Sequence, residues 1–522
     1  MSSPSIQRAL ISVSDKLGLG QFAQGLAAAG VEIFSTGGTR KYLQEQGLAV
    51  RDVAEYTGFP EMLEGRVKTL HPKVHGGILA RRDRPDDLES LARHGIVLFD
   101  LVVVNLYPFA ATVARSDVTI EEAIEQIDIG GPSLIRAAAK NHQFVTVATN
   151  AEQYSAILDE INRARGTSLS LRRQLAQTAF AHTASYDQAI AAYLTRQAES
   201  ELLPPQLDVQ LRRKAILRYG ENPHQQAALY ADPGARGANL VSAQQLAGKE
   251  LSYNNLLDLD SALALARALP DSAVVVIKHN NPCGAASAAQ LFVAARRALE
   301  GDPLSAFGSV LGFNRTLDAE TAEALCEPGL FIEAIVAPDY ETRAVEILTT
   351  QPKWKANVRL LKVGAIEGPP ALWHLRQIEG GMLLQEADTQ EDPESAWRVA
   401  TQAQPTDEQM ADLRFAWAVV RHVKSNAIVV ARDRMVLGVG AGQMSRVDSV
   451  ELALKKAGPR AAGALLASDA FFPFADSIEQ AAQAGIRAVI QPGGSRRDDE
   501  VLQAANRHSL PMVITGRRHF KH

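Results

Sequence analysis

The chain has 522 residues, 46% hydrophobic and 22% charged, a globular balance that excludes a disordered or collagen-like protein. Its 54 basic and 59 acidic side chains leave a net charge of -5, so nothing global attracts nucleic acid or an anionic membrane. Two cysteines, Cys283 and Cys326, cannot build a disulfide framework or a four-cysteine zinc site. At ~150 residues per domain the length suggests three or four domains. The longest apolar stretches, such as Ala273–Ile277, fall far short of the ~20 residues of a spanning helix. Met1–Leu10 lacks the basic and apolar regions of a signal peptide. The expectation is a cytoplasmic protein.

The first stretch alternates strands and helices. Arg8–Val13 is a short apolar run, Leu17–Ala29 has helical spacing that stops at Gly30, and Val31–Phe34 is a second strand. Leu101–Val104 shows no polar alternation, as expected of a strand buried on both faces. Glu121–Ile127 and Leu134–Asn141 read as helices and Phe144–Ala148 as a strand, so a parallel sheet covered on both sides is predicted. Glu199–Arg213, with Pro204-Pro205, is a candidate linker. A second α/β run follows, with strands Ala273–Ile277 and Ala334–Val336 and a helix over Ala288–Leu299. Glu386–Gln409, acidic and polar with Pro393 and Pro405, is a second joint. A third run carries strands Ala427–Ala431, Val436–Val439, Ala464–Ala467 and Ala488–Ile490. Leu10–Gly38 and Leu465–Gly494 echo one another, which any βαβ unit would do.

Several motifs offer chemistry. Ser35-Thr36-Gly37-Gly38-Thr39 stands where a strand ends and a helix begins, so its amides, hydroxyls and helix dipole suit an anion. Ser14-Asp15-Lys16 would open on the same carboxyl edge, where ligands of parallel sheets sit. Arg66-Val67-Lys68-Thr69 adds two cations and a hydroxyl, although the tetrad alone favours a solvated basic loop. Asn105 and Tyr107 follow the buried strand, either at a ligand edge or in a proline-ended turn. Asp128-Ile129-Gly130-Gly131-Pro132 leads into a helix ending at Lys140, which by spacing alone is a last-turn cation facing the helix dipole.

Lys278-His279-Asn280-Asn281-Pro282-Cys283-Gly284 is the sharpest feature. It closes an apolar strand and pairs a group that titrates near neutrality with a fixed cation, an arrangement suited to a general base. Burying all these polar groups without a function would be costly. His71 and His75 lack the glutamate of a zinc helix, and Pro282-Cys283 lacks the second cysteine and the upstream H-x-E of zinc deaminases. Gly438–Gly442 and Gly248-Lys249 fail the dinucleotide and P-loop patterns.

Together, Ser12–Lys16, Ser35–Thr39, Gly65–Pro72, Asn105–Phe109, Asp128–Gly131, Ala137–His142, Leu217–His224, Lys278–Gly284, Gly440–Arg446 and Ser468–Asp476 resemble one family in order along nearly the whole chain. It is the bifunctional purine-biosynthesis family that joins AICAR transformylase to IMP cyclohydrolase. The resemblance implies formyl transfer from 10-formyltetrahydrofolate to AICAR, giving FAICAR, and then ring closure to IMP. It implies an α/β fold, with a methylglyoxal-synthase-like cyclohydrolase domain over residues 1–200. Two cytidine-deaminase-like transformylase units would follow, over 201–390 and 391–522. It further implies a homodimer with transformylase sites shared between subunits, and no metal.

Carried over residue by residue, the resemblance makes His279 the base that collects the amine proton. Lys278 would stabilise the tetrahedral oxygen or help protonate the departing folate nitrogen. Arg218, Tyr219, Gly308, Glu333, Asn426 and Arg446 would hold AICAR, and Phe472, Asp476 and Arg518 the folate. Lys68, Tyr107, Asp128 and Lys140 would drive cyclisation. Ser14, Asp15, Lys16, Ser35, Gly37, Gly38, Thr39, Arg66, Thr69, Asn105 and Gly130 would cradle FAICAR or IMP. A nucleotide-sensing regulatory module is the rival reading, and it leaves Lys278 and His279 idle.

Overall fold

The computed structural model describes residues 4–63, 66–115, 117–197, 203, 205–366, 373–390 and 392–522. They form two compact units, Met1–Gln210 and Leu211–His522. Part of the candidate linker, including Pro204, lies outside the described residues, as does Gly65 of the basic tetrad's motif. No helix among the described residues is long and apolar enough to cross a membrane.

In the first unit, β1 (Arg8–Ser12), β2 (Glu32–Ser35), β3 (Val50–Asp52), β4 (Leu101–Val104) and β5 (Thr146–Ala148) form a parallel sheet of order β3-β2-β1-β4-β5. The predicted parallel arrangement holds, and β4 is buried at all four positions, as its unbroken apolar run requires. The order reverses between β1 and β4, so the loops after these two strands diverge and leave a crevice at the carboxyl edge. Leu10, Ile11, Phe34 and Phe99 fill the core beneath it. The helix Gly130–Lys140 packs on β4 and β5, and the 29-residue helix Leu169–Gln197 lies against it.

The second unit opens with an antiparallel ribbon of β6 (Arg212–Leu217) and β7 (Ala227–Ala231). Then come β8 (Gln244–Ala247), β9 (Ala273–Lys278), β10 (Asn281–Ser287), β11 (Ser309–Phe313), β12 (Ile332–Ala337) and β13 (Arg359–Lys362). β14 (Trp373–Ile378) and β15 (Gly381–Glu386) form a second ribbon, followed by β16 (Arg398–Val399), β17 (Ile428–Arg432), β18 (Met435–Gly440), β19 (Leu465–Ser468), β20 (Ala488–Gln491) and β21 (Met512–Ile514). Twelve of these strands make one mixed sheet of order β16-β21-β20-β19-β17-β18-β10-β9-β11-β12-β13-β8.

Read outward from the central antiparallel β10–β18 pair, the two halves repeat one pattern: hairpin, antiparallel neighbour, two parallel strands, antiparallel edge. The repetition reaches single residues. Lys278-His279-Asn280-Asn281 and Arg432-Asp433-Arg434-Met435 are the same two-residue turn, with positive φ at both central residues. Each hairpin carries a bulge at the matching place, Cys283 and Leu437. Ser252 and Thr406 start matching helices with capping boxes. Gly284 and Gly438 follow the bulges where a Cβ would lie 2.0 and 2.1 Å from a carbonyl oxygen of the covering helix.

The Lys278–Gly284 segment closes β9 and turns back into β10, and the helix expected over Ala288–Leu299 begins at Leu291. Asn280 takes the left-handed conformation that this turn demands, and β-branched residues are absent from the turn itself. The Leu10 and Leu465 echo is a shared parallel βαβ step, β1–β2 and β19–β20.

Candidate active sites

In the first unit the predicted residues gather at the crevice. The Asn105 side chain, just past β4, ties the two loops together: its Oδ1 accepts from the backbone N–H groups of Ser14 (2.5 Å) and Asp15 (3.1 Å), and its Nδ2 donates to Asp15 O (2.7 Å). The Lys16 ammonium donates to Ser14 O at 3.3 Å. Ser35 Oγ donates to Ile11 O (2.7 Å), while Thr39 Oγ1 donates to Val13 O (2.9 Å) and accepts from Val13 N (3.1 Å). These two hydroxyls therefore brace the sheet edge and do not point at a ligand. What the strand-to-helix turn offers an anion is backbone. The helix Gly37–Glu45 has no side-chain cap from Thr36, so its leading N–H groups face the edge. Gly37 has φ +47°, and a Cβ at Gly37 or Gly38 would meet nothing within 4 Å, which leaves room for a ligand over the turn.

Across the crevice, the Lys68 ammonium donates to the Tyr107 hydroxyl at 3.5 Å. Thr69 is buried beside Gly130, its Oγ1 3.0 Å from where a Gly130 Cβ would stand. The Asp128 carboxylate caps the helix Gly130–Lys140, accepting from Gly131 N at 2.7 Å. Burial pushes its carboxyl above the ordinary carboxylate range, against the opposing pull of Gly131 N–H and of the Lys68 charge. A carboxyl with raised proton affinity, a cation and a phenol thus share one edge, beside a cavity of about 310 Å³ lined by Thr57, Phe59, Val67, Lys68 and His71 among others.

Two residues stand elsewhere. Arg66 is exposed and pairs with Glu125. Lys140 is the last residue of a helix whose first turn adjoins Asp128, and at 1.5 Å per residue the two ends lie roughly 15 Å apart. Asn141, next to it, donates to Ile78 O and Ala80 O at the far end of the helix Pro72–Leu79. The expectation that Lys140 joins Asp128 in one cluster is thus not met within this chain, because an unbroken helix separates them.

In the second unit one edge of the twelve-stranded sheet collects the predicted residues. They come from the carboxyl end of β9, the amino ends of β11, β12 and β17, and the segments after β18, β19 and β21. His279 sits exposed at the hairpin tip with φ +51°. Asp258 Oδ1 holds the turn by accepting from Asn280 N at 2.7 Å, and Asn281 ties the hairpin to the other repeat by accepting from Lys424 N at 2.9 Å. The Lys278 ammonium donates to Phe307 O, beside Gly308, whose φ of +70° favours glycine and where an added Cβ would stand 3.2 Å from the Phe331 ring and 3.8 Å from the Lys278 ammonium. Glu333 Oε1 accepts from Arg359 Nη1 at 2.6 Å, and Arg359 Nε donates to Glu250 O. Glu250 and Lys249 line a cleft of about 240 Å³ with Arg218, whose guanidinium lies 4.8 Å over the Tyr219 ring.

Two expectations fail on burial. Arg446 is almost fully enclosed. Its guanidinium donates to Asp469 Oδ1 (2.5 Å), Ser468 Oγ (2.8 Å) and Asn426 Oδ1 (2.8 Å), so it is a strut and not an open phosphate fork. Asn426 is likewise engaged, donating to Gln443 O and Met444 O. Phe472 is wholly inside the core; the exposed aromatic of that run is Phe474, with Arg497 stacked 4.8 Å over it. Asp476 and Arg518 are exposed, and Arg518 lies over the Phe520 ring. Sequence reasoning missed Arg359, Asp469, Lys249 and Asp258. Arg359 opens β13, whose two central residues are apolar, and a charge there signals a partner across the sheet.

Among the described residues no group of three or more His, Cys, Asp or Glu side chains is placed to hold a metal ion.

Comparison with known proteins places this chemistry. A family model described as the AICARFT/IMPCHase bienzyme matches residues 138–456, and one described as an MGS-like domain matches residues 18–133. The chain is 62% identical over 517 residues to a protein of Rhodopirellula baltica, covering 99% of each, whose name is bifunctional purine biosynthesis protein PurH. Proteins of the same name from Desulfitobacterium hafniense and Bacillus cereus are 52% and 49% identical, over 99% of this chain and 100% of theirs.

Proposed function

The chain belongs to the AICARFT/IMPCHase bienzyme family, and from that premise we propose how its residues divide two reactions. It is a bifunctional enzyme of purine biosynthesis: a transformylase that formylates AICAR from a folate-derived donor, and a cyclohydrolase that closes FAICAR to IMP. The amino-terminal α/β domain is MGS-like. The donor we propose is 10-formyltetrahydrofolate. We also propose a cytoplasmic homodimer with transformylase sites shared between subunits, and boundaries at 200/201 and 390/391. Glu391 and residues 198–202 lie outside the described residues. The repeated sheet topology supports two related transformylase units; their likeness to cytidine deaminase belongs to the proposal.

In the transformylase, the amine of AICAR is conjugated into a ring that carries a carboxamide, so its lone pair is weakly available. Attack on the formyl carbon requires a base, and His279, exposed at the hairpin tip, is the base we assign. Lys278 stands next to it to stabilise the tetrahedral oxygen. Arg218 with Lys249 suits the phosphate, and Glu333, oriented by Arg359, suits the ring's donors. Gly308 leaves the space between them. Tyr219, Asn426 and Arg446 support this wall, with Asp476, Arg518 and the Phe472 segment toward the folate.

Cyclisation asks less, because both reacting groups are on one ring and the site has chiefly to hold the formamide near the carboxamide nitrogen. Burial strengthens the hold of the Asp128 carboxyl on its proton, which suits it to supply one, and Lys68 with Tyr107 stabilises the oxyanion. Backbone N–H groups of Gly37, Gly38 and Thr39, with Ser14, Lys16 and Thr69, hold the phosphate end, and Arg66 would join them only by leaving Glu125. The resemblance alone carries Lys140. The observation that carries the reading is the Lys278-His279 hairpin tip on the same sheet edge as Gly308 and Glu333.

The test is optical. Protein mixed with AICAR and 10-formyltetrahydrofolate is expected to form IMP, and FAICAR alone isolates the second step. Folded protein that turns over neither substrate would discard the reading. Added chelator is expected to change neither rate.

A further inference from the structure

Asp128 sits in a short loop between the helix Ile120–Glu125 and the helix Gly130–Lys140. The loop is lightly packed: Ile127 is partly buried against the core, and Ile129 is 61% exposed. One hydroxyl spans it. Tyr186, from the long helix Leu169–Gln197, accepts from Asp128 N at 2.9 Å and donates to Gln126 O at 2.8 Å. A buried phenol needs one partner to be satisfied. This one has two, both on the backbone of the loop that carries Asp128. The Tyr186 ring is buried and meets Phe109 edge-on at 6.2 Å, two residues beyond Tyr107. A single side chain therefore touches the segments that carry two of the three groups assigned to cyclisation. The same long helix grips the other end of the helix Gly130–Lys140: buried Arg172 donates to His142 O (2.9 Å), Gln143 O (3.0 Å) and Thr167 O.

We propose that Tyr186 is a positioning residue for the cyclohydrolase: its hydroxyl fixes the Asp128 loop, and its ring fixes that loop against the Tyr107 segment. The proposal rests on Asp128 being the proton donor of that site. Removing the hydroxyl leaves Asp128 N–H and Gln126 C=O without their partner, and water must replace it. The carboxyl then shifts within its site and becomes wetter. The phosphate-binding turns after β1 and β2 are untouched, so the loss falls on the chemical step and not on binding.

The test is Tyr186→Phe in the full chain. The kcat for FAICAR cyclisation is expected to fall about 10–100-fold, the scale of a small misplacement of a reacting group. KM and the transformylase rate are expected to change less than twofold. The alkaline limb of the pH–rate profile, where a proton donor is lost, is expected to move to lower pH, because a wetter Asp128 loses part of the burial that raises it. Tyr193→Phe removes a hydroxyl from the same helix while keeping a ring against Phe109, and is expected to leave kcat and the profile unchanged. An unchanged kcat and alkaline limb in Tyr186→Phe, an equal loss in Tyr193→Phe, or a parallel fall in transformylase would each overturn the positioning role. Asp128→Asn, assayed alongside, separates this from the reading beneath it. Normal cyclisation by Asp128→Asn removes the proton-donor assignment, whereas a dead Asp128→Asn beside a normal Tyr186→Phe removes only the role of Tyr186.

Discussion

His279 and Arg446 show how burial sorts polar side chains into chemistry and framework. His279 is exposed on a turn that is anchored from below by Asp258, so the imidazole is presented while its backbone is fixed. His279→Ala is expected to lower the transformylase rate by about 10²–10⁴-fold, the contribution of a general base, with the melting temperature unchanged. Arg446 is the opposite case, because its charge is enclosed with the fully buried Asp469. Arg446→Ala would strand that carboxylate, and a loss of about 3–5 kcal/mol in urea unfolding is expected, as for other broken buried pairs. A stability change within experimental error would show that Arg446 is no strut.

Strands and helices impose their own constraints through close approach. Gly284 and Gly438 occupy matching positions where each hairpin lies directly beneath a helix carbonyl, Ala298 O and Ala453 O. Gly284→Ala or Gly438→Ala must push a helix off the sheet, and about 3 kcal/mol of destabilisation is expected from such overpacking. Gly381→Ala, where an added Cβ meets nothing within 4 Å, is the control and is expected to stay within about 0.5 kcal/mol. The segment after β21 is held differently. Buried His519 places Nδ1 2.6 Å from Asp388 and Nε2 2.7 Å from Asp392. Burial works against the charge of each group, yet the shared hydrogen bonds prevail, so His519 titrates above its ordinary value and both carboxyls below theirs. The histidine's contribution is complete below about pH 6.5 and is lost as pH rises through its elevated folded value. The carboxylates contribute above about pH 4 and lose that as pH falls through their lowered values. The melting-temperature gap between the wild type and His519→Gln is therefore expected to be widest between those limits and to narrow in alkali. A gap that widened there would contradict the clasp.

At the scale of the whole chain, two reactions are assigned to two units, and the assignment predicts separable damage. Asp128→Asn is expected to lose cyclisation and keep formyl transfer; His279→Ala is expected to do the reverse. Loss of both activities in either folded variant would refute the division. The chain order of strands and helices was legible beforehand because the period of apolar residues is a local property, and Leu101–Val104 and Ala273–Ile277 needed no context. Ten strings, matched in order, were enough to point to the family, since each is a short string whose chemistry lies in its own residues.

The sequence by itself determined the α/β elements, the glycine-marked turns and the reactive strings, because backbone conformation and side-chain chemistry are set within a few residues. Tertiary structure alone decided which polar groups remain available. Ser35 and Thr39 turn inward to backbone carbonyls, Arg446 is matched by Asp469, Phe472 enters the core while Phe474 stays out, and one helix length divides Lys140 from Asp128. It also decided that the Lys278-His279 string is a hairpin tip repeated by Arg432-Asp433. Such outcomes depend on partners that are far apart in the chain, and a hydrogen bond or a buried charge has no meaning until the partner is in place.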